Sequence, residues 1–210
     1  MYREVKFRYY ALKLTLLCVI IFVLQLIIPG FTDMFILDQR SYYEIWRFVT
    51  AIFLHANVAH ILYNGFALAL FGSMLESMIG GRRFLIVFFA TGIFANLVSV
   101  NFYSSALGAS AAIYGVIGAL VFIRPFMFVW AFGFPMPMIA AAAVWVTGDL
   151  IGLYVPSDVA NIAHLSGIFL GLIIGAFYRP YYNRMHPKKK DEKIILDERA
   201  VRQWEDYYLK

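Results

Sequence analysis

Charge is scarce in this sequence and almost missing from its middle. Only 15% of the 210 residues are Asp, Glu, Lys or Arg, and they gather at the two ends and in short interruptions between uncharged runs. The apolar share is 62%, whereas soluble domains average about 45–50%. That composition excludes a soluble globular domain and identifies a polytopic membrane protein. Cysteine is also nearly absent. Cys18 stands alone, so no intrachain disulfide can form, and its place in an apolar run suits inert packing. No period marks a solenoid. No cleavable signal peptide is expected, because the first apolar run is long and ends in Pro29-Gly30 without a small-x-small site. The net charge of +5 does not imply a nucleic-acid partner; it fits lysines and arginines held at the inner membrane face.

What remains are six apolar runs, read as spans over 9–28, 58–76, 84–102, 109–123, 137–154 and 159–177. A segment of 1–8 precedes them, so the membrane domain is 9–178, and 179–210 is a basic, charged tail with Lys188-Lys189-Lys190. That tail has the makings of a short amphipathic helix, and its charge run suits a solvated segment. The stretch from Phe31 to Arg47 is polar and aromatic, with Tyr42, Tyr43 and Trp46 suited to the interface, and has room for short interfacial helices. The stretch 126–134 is read as an interfacial loop, and Val155-Pro156-Ser157-Asp158 as a turn. The expected fold class is an all-α membrane protein with six transmembrane helices.

Six spans place both termini on one side. Arg3, Lys6, Arg8, Lys13, the Arg82-Arg83 turn, Arg124 and the tail all fall there, against Arg40 and Arg47 opposite. The shared side is therefore expected to be cytoplasmic.

This topology assigns depths to the polar residues. His60 and Asn64 lie at the outer end of the second span, one turn apart and on one face. Ser110 opens the fourth. His164 sits about five residues into the sixth, roughly 8 Å along it. All four share the outer half of the membrane. Ser110 near a helix N-terminus has two readings. One is a nucleophile among unpaired N–H donors that favour a developing oxyanion. The other is an N-cap or packing serine. The cluster likewise has two: a site, because polar groups at membrane depth are costly, or interhelical hydrogen bonding. Matched depth and a Ser and His on separate helices favour a site. Gly167, Gly171 and Gly175 form a smooth stripe with His164, which lets that helix approach the small face of Ala111, Gly115 and Gly118.

His55-x4-His60-x3-Asn64, Gly108-x-Ser110 and Ala163-His164-x2-Gly167 together resemble the rhomboid intramembrane serine proteases. Trp46-Arg47 and Glu76-x3-Gly80 fit as well. The resemblance covers the six-span core, not the tail. It implies a rhomboid-like bundle in which Ser110 is the nucleophile and His164 the general base. His60 and Asn64 would donate to the oxyanion, together with the Ser110 N–H. Tyr114 would stack on His164, while His55, Trp46, Arg47 and Glu76 would brace loops and helix ends. Ala111 departs from the family, which commonly has glycine after the serine; its methyl group would narrow the helix approach.

The expected function is hydrolysis of peptide bonds in or near transmembrane segments of membrane proteins, by a Ser110–His164 dyad through an acyl-enzyme. Asp149 and Asp158 lie toward the outer end, but no motif ties either to His164, so the imidazole is expected to be oriented by Tyr114 and local hydrogen bonds and not by a carboxylate. The expected partners are transmembrane protein substrates and the lipid bilayer, with no nucleic acid, metal or cofactor. The compact six-span form points to a prokaryotic cell membrane. An inactive relative that binds membrane clients is the alternative, although such relatives usually lack the serine or histidine. A transporter is the rival from another class, but its usual intramembrane charges and related halves are not evident.

Overall fold

The computed structural model describes residues 7–155, 159–187 and 198–209. Arg3, Glu4 and Lys6, the Pro156-Ser157-Asp158 part of the expected turn and Lys188-Lys189-Lys190 lie outside the described residues. The chain is mainly helical. Helix α1 (Tyr10–Ile27) is followed by α2 (Phe31–Phe35), strand β1 (Leu37–Asp38), a 3-10 turn and α3 (Arg47–Thr50). Helices α4 (Val58–Ala67) and α5 (Ser73–Ile79) are joined through one π-helical stretch (Leu68–Gly72). Then come α6 (Gly81–Ser99), β2 (Ser105–Ala106) and α7 (Ser110–Ile123). Strands β3 (Phe128–Ala131) and β4 (Phe134–Pro137) precede α8 (Met138–Gly152), α9 (Asn161–Met185) and α10 (Glu198–Tyr208).

Four helices are long and apolar enough to cross a membrane: Tyr10–Ile27, the continuous Val58–Ile79, Gly81–Ser99 and Asn161–Met185. The other two expected spans are apolar but shorter, Ser110–Ile123 and Met138–Gly152. The chain is thus an integral, multi-pass membrane protein.

Packing explains why α7 is short. Its 14 residues rise roughly 21 Å, less than a hydrocarbon core of about 30 Å. It is enclosed by other helices instead of lipid, with Ala111, Ala112, Ile113 and Gly115 through Leu120 all buried. The glycine stripe of α9 lies directly on it. A side chain at Gly167 would collide with the Ala111 carbonyl, one at Gly171 with the Gly115 carbonyl, and one at Gly175 with the Ala119 backbone. In return, one at Gly118 would strike the backbone of Ile168 and Leu172. The small face of α7 is therefore the partner of the stripe, as its residues suggest, and backbone-to-backbone contact fixes the register of the two helices.

Three features differ from expectation or extend it. Residues 128–137 form a two-stranded hairpin, with Val129 opposite Met136, in place of a loop. Phe132 and Gly133 turn it with φ of +54° and +86°, as a two-residue hairpin turn requires. Phe132 is not a residue that advertises such a turn. Pro135 and Pro137 are tolerated because the two-strand ribbon has free edges. Helix α9 runs on to Met185 through Pro180, past the expected domain limit at 178. Polarity after Phe177 marks where lipid would end, not where the helix does. The loop between α1 and α4 does hold short helices, α2 and α3, as its length suggests.

That loop is pinned from several sides. The buried Arg47 side chain donates to the carbonyls of Asp33 and Ile36, each at 2.8 Å, and pairs with Glu44. Asn96 of α6 donates to the Phe48 carbonyl at 2.8 Å. Strand β1 pairs with β2, Leu37 opposite Ala106, which ties the loop to the chain entering α7.

Candidate active site

Ser110 is the first residue of α7, and the turn before it is strained into place. Gly108 has φ +121°, a value that side chains avoid, and its N–H donates to the Ala51 carbonyl at 2.9 Å. A Cβ there would lie 2.8 Å from His60 Cε1, 2.9 Å from His60 Nε2 and 3.8 Å from the Ser110 hydroxyl. The glycine thus leaves open the space between that imidazole and that hydroxyl. The Ser110 N–H, at the start of a helix, has no partner within it.

His60 and Asn64 come from α4, whose first turn is capped by the Asn57 side chain accepting the His60 N–H at 2.9 Å. His60 Nδ1 accepts the Ala56 N–H at 3.4 Å. A neutral ring with a bonded Nδ1 acceptor carries its proton on Nε2, the atom beside Gly108. Asn64 Nδ2 donates to the His60 carbonyl at 3.1 Å, leaving a second N–H on that nitrogen.

His164 enters from the first turn of α9. Its Nε2 lies 2.8 Å from Ser110 Oγ, and Tyr114 stacks on its ring at 4.4 Å with 14° between the planes. Its Nδ1 lies 2.9 Å from Asp149 Oδ1 of α8. No such contact is expected from the sequence, in which no motif ties a carboxylate to His164. The His164 and Asp149 side chains are 12% and 5% exposed, so the pair is nearly sealed from solvent. Residues 149 and 164 meet across two helices, and no linear motif reports such a meeting. The available signal was a charge at the end of the uncharged run 125–148, since an ionisable group at membrane depth is a pointer in itself.

His55 lies just before α4 and plays another part. It is 1% exposed and meets His60 edge-on, with ring centroids 5.0 Å apart. Its Nδ1 bonds the Phe53 carbonyl at 3.2 Å. Burial, with His60 nearby, pushes its pKa down to about 4. Gln25 of α1, unflagged by the sequence, clamps its backbone: Oε1 accepts the His55 N–H at 2.9 Å and Nε2 donates to its carbonyl at 3.2 Å. The Ala111 methyl is accommodated, packed with Ala95 and Ala163. Among the described residues no group of three or more His, Cys, Asp or Glu side chains is gathered to hold a metal ion.

A hydroxyl within hydrogen-bonding distance of an imidazole nitrogen, flanked by N–H donors at a helix start, has the parts needed for acyl transfer. Comparison with known proteins points the same way. Residues 42–181 match the rhomboid domain family. The chain is 31% identical over 174 residues to the rhomboid protease GlpG of Haemophilus influenzae, covering 78% of this chain and 88% of that protein. It is 44% identical over 82 residues to the rhomboid protease GluP of Bacillus subtilis, covering 38% of this chain and 16% of that one. Against GlpG of Yersinia pestis it is 27% identical over 180 residues, 78% of this chain and 60% of that protein. The matched regions thus span less than two thirds of the last two proteins.

Proposed function

The chain belongs to the rhomboid family of membrane proteases, and from that premise we propose that it is an intramembrane serine endopeptidase acting on transmembrane proteins. The observation that carries this reading is the 2.8 Å contact between Ser110 Oγ and His164 Nε2. His164 Nε2 takes the Ser110 proton as Oγ bonds to the substrate carbonyl carbon, giving a tetrahedral oxyanion. His60 Nε2–H, the second Asn64 N–H and the Ser110 N–H stabilise that charge. The imidazolium then protonates the leaving amine as the C–N bond breaks, leaving an ester on Ser110. Water, giving a proton to His164, attacks the ester carbonyl carbon; the bond from that carbon to Ser110 Oγ then breaks, the imidazolium returns its proton to Oγ, and the carboxyl product is freed.

Under this reading all six apolar helices lie in the membrane, with both termini on the cytoplasmic face of a prokaryotic cell membrane. The short α7 starts below the outer surface, so Ser110 lies in a recess. A substrate helix hides its carbonyls in its own hydrogen bonds and must unwind locally to be cut. Helix-breaking or small residues are therefore expected near the cleavage point.

The test is cleavage of a single-span membrane protein in proteoliposomes. Wild type is expected to cut it, with Ser110→Ala and His164→Ala inert. Cleavage by pure Ser110→Ala protein would refute the mechanism. An intact, correctly folded wild type that binds single-span proteins but never cuts them would favour the inactive client-binding alternative.

A further inference from the structure

We propose that Asp149 is a positioning residue for the reaction: its ionised carboxylate holds His164 in the tautomer that can accept the serine proton, making a Ser110–His164–Asp149 line across three helices. This rests on the serine protease reading above.

The starting point is a requirement of imidazole chemistry. A neutral histidine can accept a proton at Nε2 only if its own proton sits on Nδ1. Some acceptor must hold that Nδ1–H, and Asp149 Oδ1 lies 2.9 Å from it. The other groups around the ring do not offer this. Ser110 is on Nε2 and Tyr114 covers a face. Among the described residues, Asp149 is the anion in contact with the ring.

Its surroundings also argue against a purely structural carboxylate. Asp149 is 5% exposed, and its Oδ2 has no hydrogen-bond partner among the described residues. The Tyr114 hydroxyl is a hydrogen-bonding neighbour of the carboxylate. A buried carboxylate is expensive, and a well-packed apolar residue would join α8 to α9 more cheaply. The cost is offset when the ring becomes an imidazolium beside it. That attraction is strong in a nearly sealed, low-dielectric site, and it arises as the serine is deprotonated, so it favours the transition state over the ground state.

The isosteric Asp149→Asn substitution separates the two roles. The amide can still bridge α8 and α9, so a mere helix tie would survive it. Turned with its NH2 toward Nδ1 it would place the ring proton on Nε2 and disable the base, and in either orientation it carries no charge to attract the imidazolium. In serine protease triads, loss of this charge with the geometry intact lowers kcat about 10⁴-fold. For Asp149→Asn we expect kcat to fall about 10²- to 10⁴-fold, with KM within about threefold of wild type and the melting temperature retained; Asp149→Ala should be no more impaired in kcat. Near wild-type kcat in Asp149→Asn, with only Asp149→Ala impaired, would overturn the proposal. Should Asp149→Asn fail to fold, ¹⁵N-histidine spectra of the unmodified full chain decide. His164, assigned by comparison with His164→Ala, is expected to be protonated on Nδ1; a proton on Nε2 would overturn the proposal. Activity in Ser110→Ala would sink the protease reading itself, whereas inert Ser110→Ala beside fully active Asp149→Asn would sink this inference alone.

Discussion

Among the described residues two carboxylates are buried in the helical body, and their neighbours differ in kind. Glu76 is 0% exposed, 16 residues beyond His60 on the same continuous helix, or roughly 24 Å. Its two oxygens accept the N–H groups of Arg8 and Ala11, at 2.8 and 3.1 Å. It caps the start of α1 with a charge where the helix dipole favours one. Asp149, at the other end of the bundle, spends one oxygen on a histidine and leaves the other without a hydrogen-bond partner among the described residues. A buried charge satisfied by backbone holds the fold together. One bound to a titratable ring suits chemistry. The histidines divide less cleanly: His55 bonds backbone through Nδ1 while its buried Nε2 has no hydrogen-bond partner among the described residues, and His60 and His164 lie beside the serine.

If that division is real, substitutions at the two ends should separate activity from stability. The largest effect is expected for Ser110→Ala and His164→Ala. Each should lower the cleavage rate by about 10⁴-fold or more while leaving the melting temperature within a few degrees of wild type. Next come the proposed oxyanion donors: His60→Ala and Asn64→Ala should each cost about 10²- to 10³-fold in kcat. Gly108→Ala belongs with them, since its methyl group would enter the space beside His60 and strain a φ of +121°. Normal turnover in all three would remove the reason for placing the oxyanion there.

At the other end, Glu76→Gln should do the reverse. Hydrogen bonds to a charged group contribute about 1.5–3 kcal/mol, so the melting temperature should drop by several degrees, while kcat per folded molecule stays at the wild-type value. A specific loss of kcat would show that the two carboxylates do not divide the work as described. The smallest effect is a pH dependence. His55 is held neutral, with its pKa lowered to about 4, whereas an unfolded histidine titrates near 6.5. Its contribution to stability is therefore complete above pH 6.5 and lost progressively as pH falls from there toward 4. Thermal melts across that window should show the decline, and His55→Phe should flatten it; an unchanged slope would assign the effect to other groups.

Much of the site was legible because helix periodicity is local. His60 and Asn64 are one turn apart, and the Gly167, Gly171 and Gly175 stripe fixes which face of α9 meets α7. Depth followed from topology, which brought Ser110 and His164 to one level. What was not legible depends on contacts across helices with no periodic signature. Asp149 reaches His164 from α8, and Gln25 reaches His55 from α1. The hairpin at Phe128–Ala131 and Phe134–Pro137 is hidden in the sequence because Phe132-Gly133 is a weak turn signal between aromatics that serve an interface equally well. The bounds of α7 were close to the expected 109–123, but the reason so short a helix suffices was not legible, since enclosure by α6 and α9 is a property of the packed bundle.

The most direct measurement is covalent capture of the proposed nucleophile. A serine-reactive fluorophosphonate, incubated with the folded wild-type chain in detergent, should form an adduct that peptide mass spectrometry locates on Ser110. The same adduct should be absent from Ser110→Ala and strongly reduced in His164→Ala. No adduct on folded wild type, or equal labelling without His164, would contradict a serine activated by that histidine.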